Sequence, residues 1–154
     1  MRAYRIASPE YPITSSSARA GRWNLKHTHV IYASTSKALA GSEILVNRGA
    51  IAEESIVIEI EIPDDIAVAV IDPVKRFGSA WKAKRGETAA FGTRWADRQS
   101  DDDTAVMIVP SSIWQGDDQH NVILNPNHPD FSRIEFRISQ DDIDPRLVNP
   151  PRNS

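Results

Sequence analysis

The chain has 154 residues, 40% apolar and 25% charged, with a net charge of −3. This suits one globular domain over 1–154, long enough to remove roughly two-thirds of the unfolded surface from water. Without cysteine, disulfides and thiolate metal sites are excluded and a reducing cytoplasm is the expected setting; no basic stripe invites nucleic acid, and no run has signal-peptide or membrane-spanning character.

Residues 1–6 read as a first strand, with Tyr4 and Ile6 on one face. Residues 7–20 are loop-like, with Ser8-Pro9, Tyr11-Pro12 and Ser15-Ser16-Ser17, a stretch able to fold over a ligand. Residues 30–33 form a short buried strand. Ser34, Thr35 or Ser36 then caps a helix that runs to about Arg48 and stops at Asn47 and Gly49. On that helix Glu43 follows Leu39 by four residues, so it lies beside the apolar face. Residues 55–62 alternate, with Ile56, Ile58, Ile60 and Ile62 facing one way and Glu59 and Glu61 the other. Residues 66–71 are a second apolar run, and 73–86 are less regular. A helix is predicted over 87–98, with Thr88, Phe91 or Gly92, and Trp95 on one side. Strands follow at 105–109, 121–124 and 134–138, and residues 140–154, with Pro145, Pro150 and Pro151, read as a loosely ordered tail. Without a regular βαβ rhythm, the expected architecture is α+β: a compact mixed or antiparallel sheet with flanking helices.

Arg22 follows a glycine and offers a planar fork for phosphate or carboxylate; a structural salt bridge is the alternative. Trp23 and Asn24 add a stacking surface and an amide. Tyr32 ends an apolar strand, as a ligand wall or as a core tyrosine with a satisfied hydroxyl. Glu43 among small and apolar neighbours is either an edge carboxylate or a partly buried one with a task. Ser111 ends a strand, and no Gly-x-Ser-x-Gly elbow makes it a hydrolase nucleophile. His27 and His29 have no carboxylate close in sequence to complete a metal site. No phosphate loop or Rossmann fingerprint is present.

Taken in order, these pieces resemble a known family. Gly21-Arg22-Trp23-Asn24, Val30-Ile31-Tyr32-Ala33-Ser34, Ala38-Leu39-Ala40 with Glu43, Val109-Pro110-Ser111-Ser112 and the run from Asn121 to Pro129 are similar to the RES domain family. Tyr4-Arg5-Ile6, Trp81, Gly92, Trp95 and Asp144-Pro145-Arg146-Leu147 extend the match over nearly the whole chain. The resemblance implies an ADP-ribosyltransferase-like fold and a bacterial toxin neutralised by an Xre-like antitoxin. It implies NAD⁺ as substrate, with hydrolysis, phosphorolysis or ADP-ribosyl transfer breaking the nicotinamide–ribose bond, and no metal. Carried over by position, the catalytic residues are Arg22, Tyr32, Glu43 and Ser111, with Arg22, Trp23, Tyr32, Ser111 and Asn121 binding the dinucleotide. Two departures stand out: the spacer Leu25-Lys26-His27-Thr28-His29 lacks the glycine expected after Trp-Asn, and Gln119 stands where glutamate is frequent. Two other readings compete. In a ribonuclease toxin, Arg22, His27 and His29 would supply phosphate contact, acid and base. In a non-catalytic binding module, Trp23, Trp81, Trp95 and Trp114 would be core or interface residues.

Overall fold

The computed structural model describes residues 1–116 and 118–149. It contains one mixed sheet of seven strands: β1 (Arg2–Ala7), β2 (Ile31–Ser34), β3 (Ile56–Glu61), β4 (Val68–Val70), β5 (Val106–Pro110), β6 (His120–Leu124) and β7 (Glu135–Ile138), in the order β4-β5-β6-β2-β1-β3-β7. All neighbours are antiparallel except β4 and β5. Parallel neighbours need a crossover. It consists of α2 (Pro73–Phe77), a 3₁₀ turn (Trp81–Ala83) and α3 (Arg85–Ala96). The stretch expected to be irregular thus holds a short helix capped by the Asp72 side chain on Lys75 N–H.

Alternation along the strands sorts the core into two layers. Ile31, Ala33, Val106, Val122 and Leu124 face one layer with Ala3, Ile58 and Ile60. That layer also takes Ile66, before edge strand β4, and Ile134, before edge strand β7, so the sheet curls around it. Val30, Met107, Val109 and Ile123 face the other way, into an aromatic layer with Trp23, Trp81 and Trp95. The crossover covers this second face.

The expected mixed α+β architecture is the one observed. The helix α1 (Lys37–Arg48) starts at Ser36, whose hydroxyl accepts the Leu39 N–H, and ends at Gly49 in the left-handed region (φ 80°). It packs on β1 and β2 on the same side as the aromatic layer, where Gly41 lies near Ile6. The helix predicted over 87–98 spans Arg85–Ala96, with Thr88, Gly92 and Trp95 buried as the periodicity required. The loop at 7–20 is pinned to the fold, because Arg5 Nη1 donates to the Ser15 carbonyl at 2.6 Å and Ser17 bridges to Val30. In the tail, Asp144 caps a single turn, α4 (Pro145–Val148), while Pro150, Pro151 and the rest of 150–154 lie outside the described residues.

Candidate active site

Register brings the polar cluster together. Asn121 pairs with Ser34 on β2 and with Val109 on β5. Because alternate residues share a face, Asn121 and Ser111 point to the side occupied by Ile123, Met107 and Val109. That is the side on which α1 lies, and Glu43 reaches them from it. Asn121 Nδ2 donates to Glu43 Oε1 at 2.9 Å, and the Ser111 hydroxyl meets the same oxygen at 3.4 Å. The amide is itself oriented, since Asn121 Oδ1 accepts the Ser34 hydroxyl at 3.2 Å.

The Ser111 hydroxyl has one proton and two lone pairs. Its lone pairs accept the N–H groups of Ile113 and Trp114, both at 3.1 Å. The proton is therefore directed at Glu43, and the residue is 3% exposed. Ser111 positions a carboxylate; its oxygen is not set up as a nucleophile. Glu43 Oε2 makes no hydrogen bond among the described residues.

Arg22 stands on the aromatic side. Its Nη1 donates to the Lys82 carbonyl at 2.9 Å and its guanidinium lies 5.4 Å from the Trp81 ring centre. Burial, then the charge of Arg85, lowers its pKa, and Glu43 and Tyr32 oppose this. The salt bridge that was its alternative reading is absent among the described residues.

Tyr32 links the two sides through its hydroxyl, which accepts the Trp23 N–H at 3.0 Å and donates to Asn24 Oδ1 at 2.6 Å. Burial pushes its pKa up to about 12, against the Trp23 hydrogen bond and the charges of Arg85 and Arg22. Tyr32 is thus a neutral donor at physiological pH, with only its ring able to face a ligand. Glycine is required beside it: a Cβ on Gly21 would lie 2.6 Å from Tyr32 Oη.

The structure corrects the expectation that Trp23 offers a stacking surface. The residue is 1% exposed, with its ring inside a cluster with Phe77, Trp81 and Phe91. Trp81 and Trp95 are also buried, which leaves Trp114 as the tryptophan on the surface at 56% exposure. It borders a cavity of about 350 Å³ with Ser42, Asp118 and Gln119. His27 and His29 sit on the exposed 25–29 loop; His29 Nδ1 pairs with Ser16 Oγ, and neither histidine bonds Arg22, Glu43 or Ser111.

Sequence reasoning named Asn24 and Thr88 but missed that they, with Thr93, hold the loop carrying Arg22. Asn24 is fully buried, and its Nδ2 donates to the carbonyls of Arg19, Leu25 and Thr28. Thr88 donates to the Arg22 carbonyl, and Thr93 accepts the Leu25 N–H, both at 2.8 Å. The signal for Thr88 was present, as a hydroxyl on the apolar face of its helix. At His27 the backbone is left-handed (φ 75°), which accounts for a glycine expected in this spacer.

The chain has relatives among known proteins. A family model described as "RES domain" matches residues 2–146. A Sphingobium sp. (strain YBL2) protein named "Prs ADP-ribosylating toxin" is 34% identical over 134 residues, covering 83% of this chain and 80% of the relative. A Pseudomonas putida (strain KT2440) protein named "Toxin Res" is 28% identical over 131 residues, covering 82% and 85%. Among solved structures, a chain of the Mycobacterium tuberculosis MbcT–MbcA toxin–antitoxin complex matches with a TM-score of 0.58 at 17% identity, covering 96% of this chain and 86% of that one.

Proposed function

The chain belongs to the RES domain family, and from this membership and the site geometry we propose that it is the toxin of a toxin–antitoxin pair that cleaves the nicotinamide–ribose bond of NAD⁺. The observation that carries the reading is the fixed carboxylate of Glu43: one oxygen is held by Asn121 and Ser111, and the other is unbonded among the described residues.

In that reaction the C–N bond breaks, nicotinamide leaves as a neutral base with the bonding pair, and positive charge develops on the ribose. A carboxylate held in place before the reaction stabilises such charge without reorganising. In the proposal, Glu43 Oε2 accepts from the ribose hydroxyls and opposes the charge. Arg22 pairs with the diphosphate and fixes the dinucleotide's position. The exposed part of the Tyr32 ring walls in the leaving base. Ser111 and Asn121 keep Glu43 oriented. No step of this proposal requires a metal. The name of the Sphingobium relative supports transfer of ADP-ribose; hydrolysis and phosphorolysis share the same bond cleavage and differ in what attacks the ribose.

The test is nicotinamide release from NAD⁺ by antitoxin-free protein, with water, phosphate and cell extract each offered. Glu43→Gln should lower the rate by about 100-fold or more, the scale of other preorganised electrostatic groups, and Asn121→Ala by a smaller factor. Wild-type protein that leaves NAD⁺ intact under all three conditions refutes the activity. Product analysis with and without phosphate identifies the acceptor.

The partner in this proposal is an Xre-like antitoxin that covers the site. The toxin–antitoxin complex containing the structural neighbour motivates it. A complex with the antitoxin that still turns over NAD⁺ at the free toxin's rate would contradict occlusion. No described helix is long and apolar enough to cross a membrane.

A further inference from the structure

The charge of the crossover is not explained by folding. Between Asp72 and Glu87 the chain carries Lys75, Arg76, Lys82, Lys84 and Arg85 with no acidic residue, although the whole protein is net negative. Two of these cations have partners: Lys84 Nζ donates to the Phe77 carbonyl, and Arg76 lies over Phe91. Arg85 has neither a hydrogen bond from its side chain nor an ion pair among the described residues. It is the first residue of α3, where the helix dipole disfavours positive charge. Helix stability therefore gives no reason for an arginine there.

Its location supplies one. The Thr88 hydroxyl oxygen lies 2.8 Å from the Arg22 carbonyl and 3.2 Å from the Arg85 carbonyl, so the two backbones meet at one atom. The Arg22 side chain folds back onto the same corner through Lys82 and Trp81. The charges also sense one another, since Arg85 lowers the pKa of Arg22. Two arginines whose backbones meet at one corner, neither with a bonded carboxylate among the described residues, repel unless an anion lies between them. Resting on the NAD⁺ reading above, we infer that Arg85 is the second cation of the diphosphate subsite. Arg22 and Arg85 grip the two phosphates of the dinucleotide from the crossover side, while Glu43 faces the ribose from α1.

The experiment is calorimetric titration of antitoxin-free protein with ADP-ribose and with adenosine, beside steady-state kinetics on NAD⁺. Arg85 is exposed, so Arg85→Ala leaves folding intact. For loss of one charge-assisted contact, Arg85→Ala should weaken ADP-ribose about tenfold and leave adenosine unchanged. KM for NAD⁺ should rise by a similar factor while kcat stays within about twofold, and Arg85→Lys should recover part of both. If wild type consumes NAD⁺ and Arg85→Ala matches it in KM and in ADP-ribose affinity, the role of Arg85 is overturned and the activity stands. A fall in kcat without a change in KM also overturns it. A wild type that neither binds ADP-ribose nor releases nicotinamide overturns the inference and the activity together.

Discussion

Replacing Gly92 by alanine adds one carbon to α3, and two opposing effects decide the outcome. In an open helix interior the change would stabilise by about 1 kcal/mol, because alanine loses less backbone freedom than glycine. Here the new Cβ would lie 1.8 Å from the Trp23 carbonyl oxygen and 2.7 Å from its carbon, where ordinary contact begins at 3.4 Å. Both partners are backbone, so no side-chain rotation relieves the clash; α3 and the Arg22–Asn24 turn must part by roughly 1.5 Å. That movement breaks the bonds from Thr88 to the Arg22 carbonyl, from Leu25 N–H to Thr93, and from Thr93 to Thr28. At about 0.5–1.5 kcal/mol each they outweigh the helix gain, for a net loss of about 1–3 kcal/mol. Because Arg22 moves with the turn, NAD⁺ turnover should fall as well, by up to about 100-fold for a displacement of this size. Gly86→Ala is the control on the same helix: nothing lies within 4 Å of its Cβ, and it should be neutral or stabilising by up to about 1 kcal/mol. Denaturant midpoints and nicotinamide release measure both variants. A Gly92→Ala protein as stable as Gly86→Ala would refute the close approach of α3 to the Trp23 backbone.

Two further outcomes follow from the same turn. His27→Gly should raise stability by about 0.5–1 kcal/mol: relief of a left-handed residue is worth about 1–2 kcal/mol, and the added freedom of the unfolded chain takes back about half, so a denaturation midpoint below wild type would show that the strain is absent. Tyr32 sets an alkaline limit. Its pKa, raised from 10.0 to about 12 in the folded state, gives stability that is complete below pH 10 and lost as pH rises through about 12. A two-unit shift amounts to about 2–3 kcal/mol, read as the difference between wild type and Tyr32→Phe in the slope of unfolding free energy against pH; parallel slopes would contradict the burial of that hydroxyl.

Local signals were legible and register was not. The four alternating isoleucines located β3, and Ser36 with Gly49 bracketed α1. No short-range pattern says that Asn121 lies opposite Ser34 and Val109, yet that pairing puts its amide on Glu43. The sequence brought Arg22, Tyr32, Glu43, Ser111 and Asn121 together only through likeness to relatives, because contacts such as Asn121 to Glu43 span 78 positions. Trp23 misled for a physical reason. Its neighbour Arg22 is polar and turned outward, while the covering helix that buries Trp23 approaches from more than sixty positions away, at Gly92. The crossover stayed hidden because α2 and the 3₁₀ turn are too short for a 3.6-residue period to show.

The two halves of the proposed site come from different parts of the fold, and their junction is therefore the sensitive point. The carboxylate side is built by antiparallel strands and α1, and the cationic side by the one parallel crossover with the turn that Thr88 and Gly92 hold against it. Tyr32 joins them: its ring is fixed in β2 and its hydroxyl bonds Trp23 and Asn24 of the turn. A hydroxyl engaged twice in this way holds the turn that carries Arg22 against β2. Substitutions in this joint should thus disturb substrate positioning even where they leave every charged group in place, because a cation and a carboxylate work on one dinucleotide only at a fixed separation.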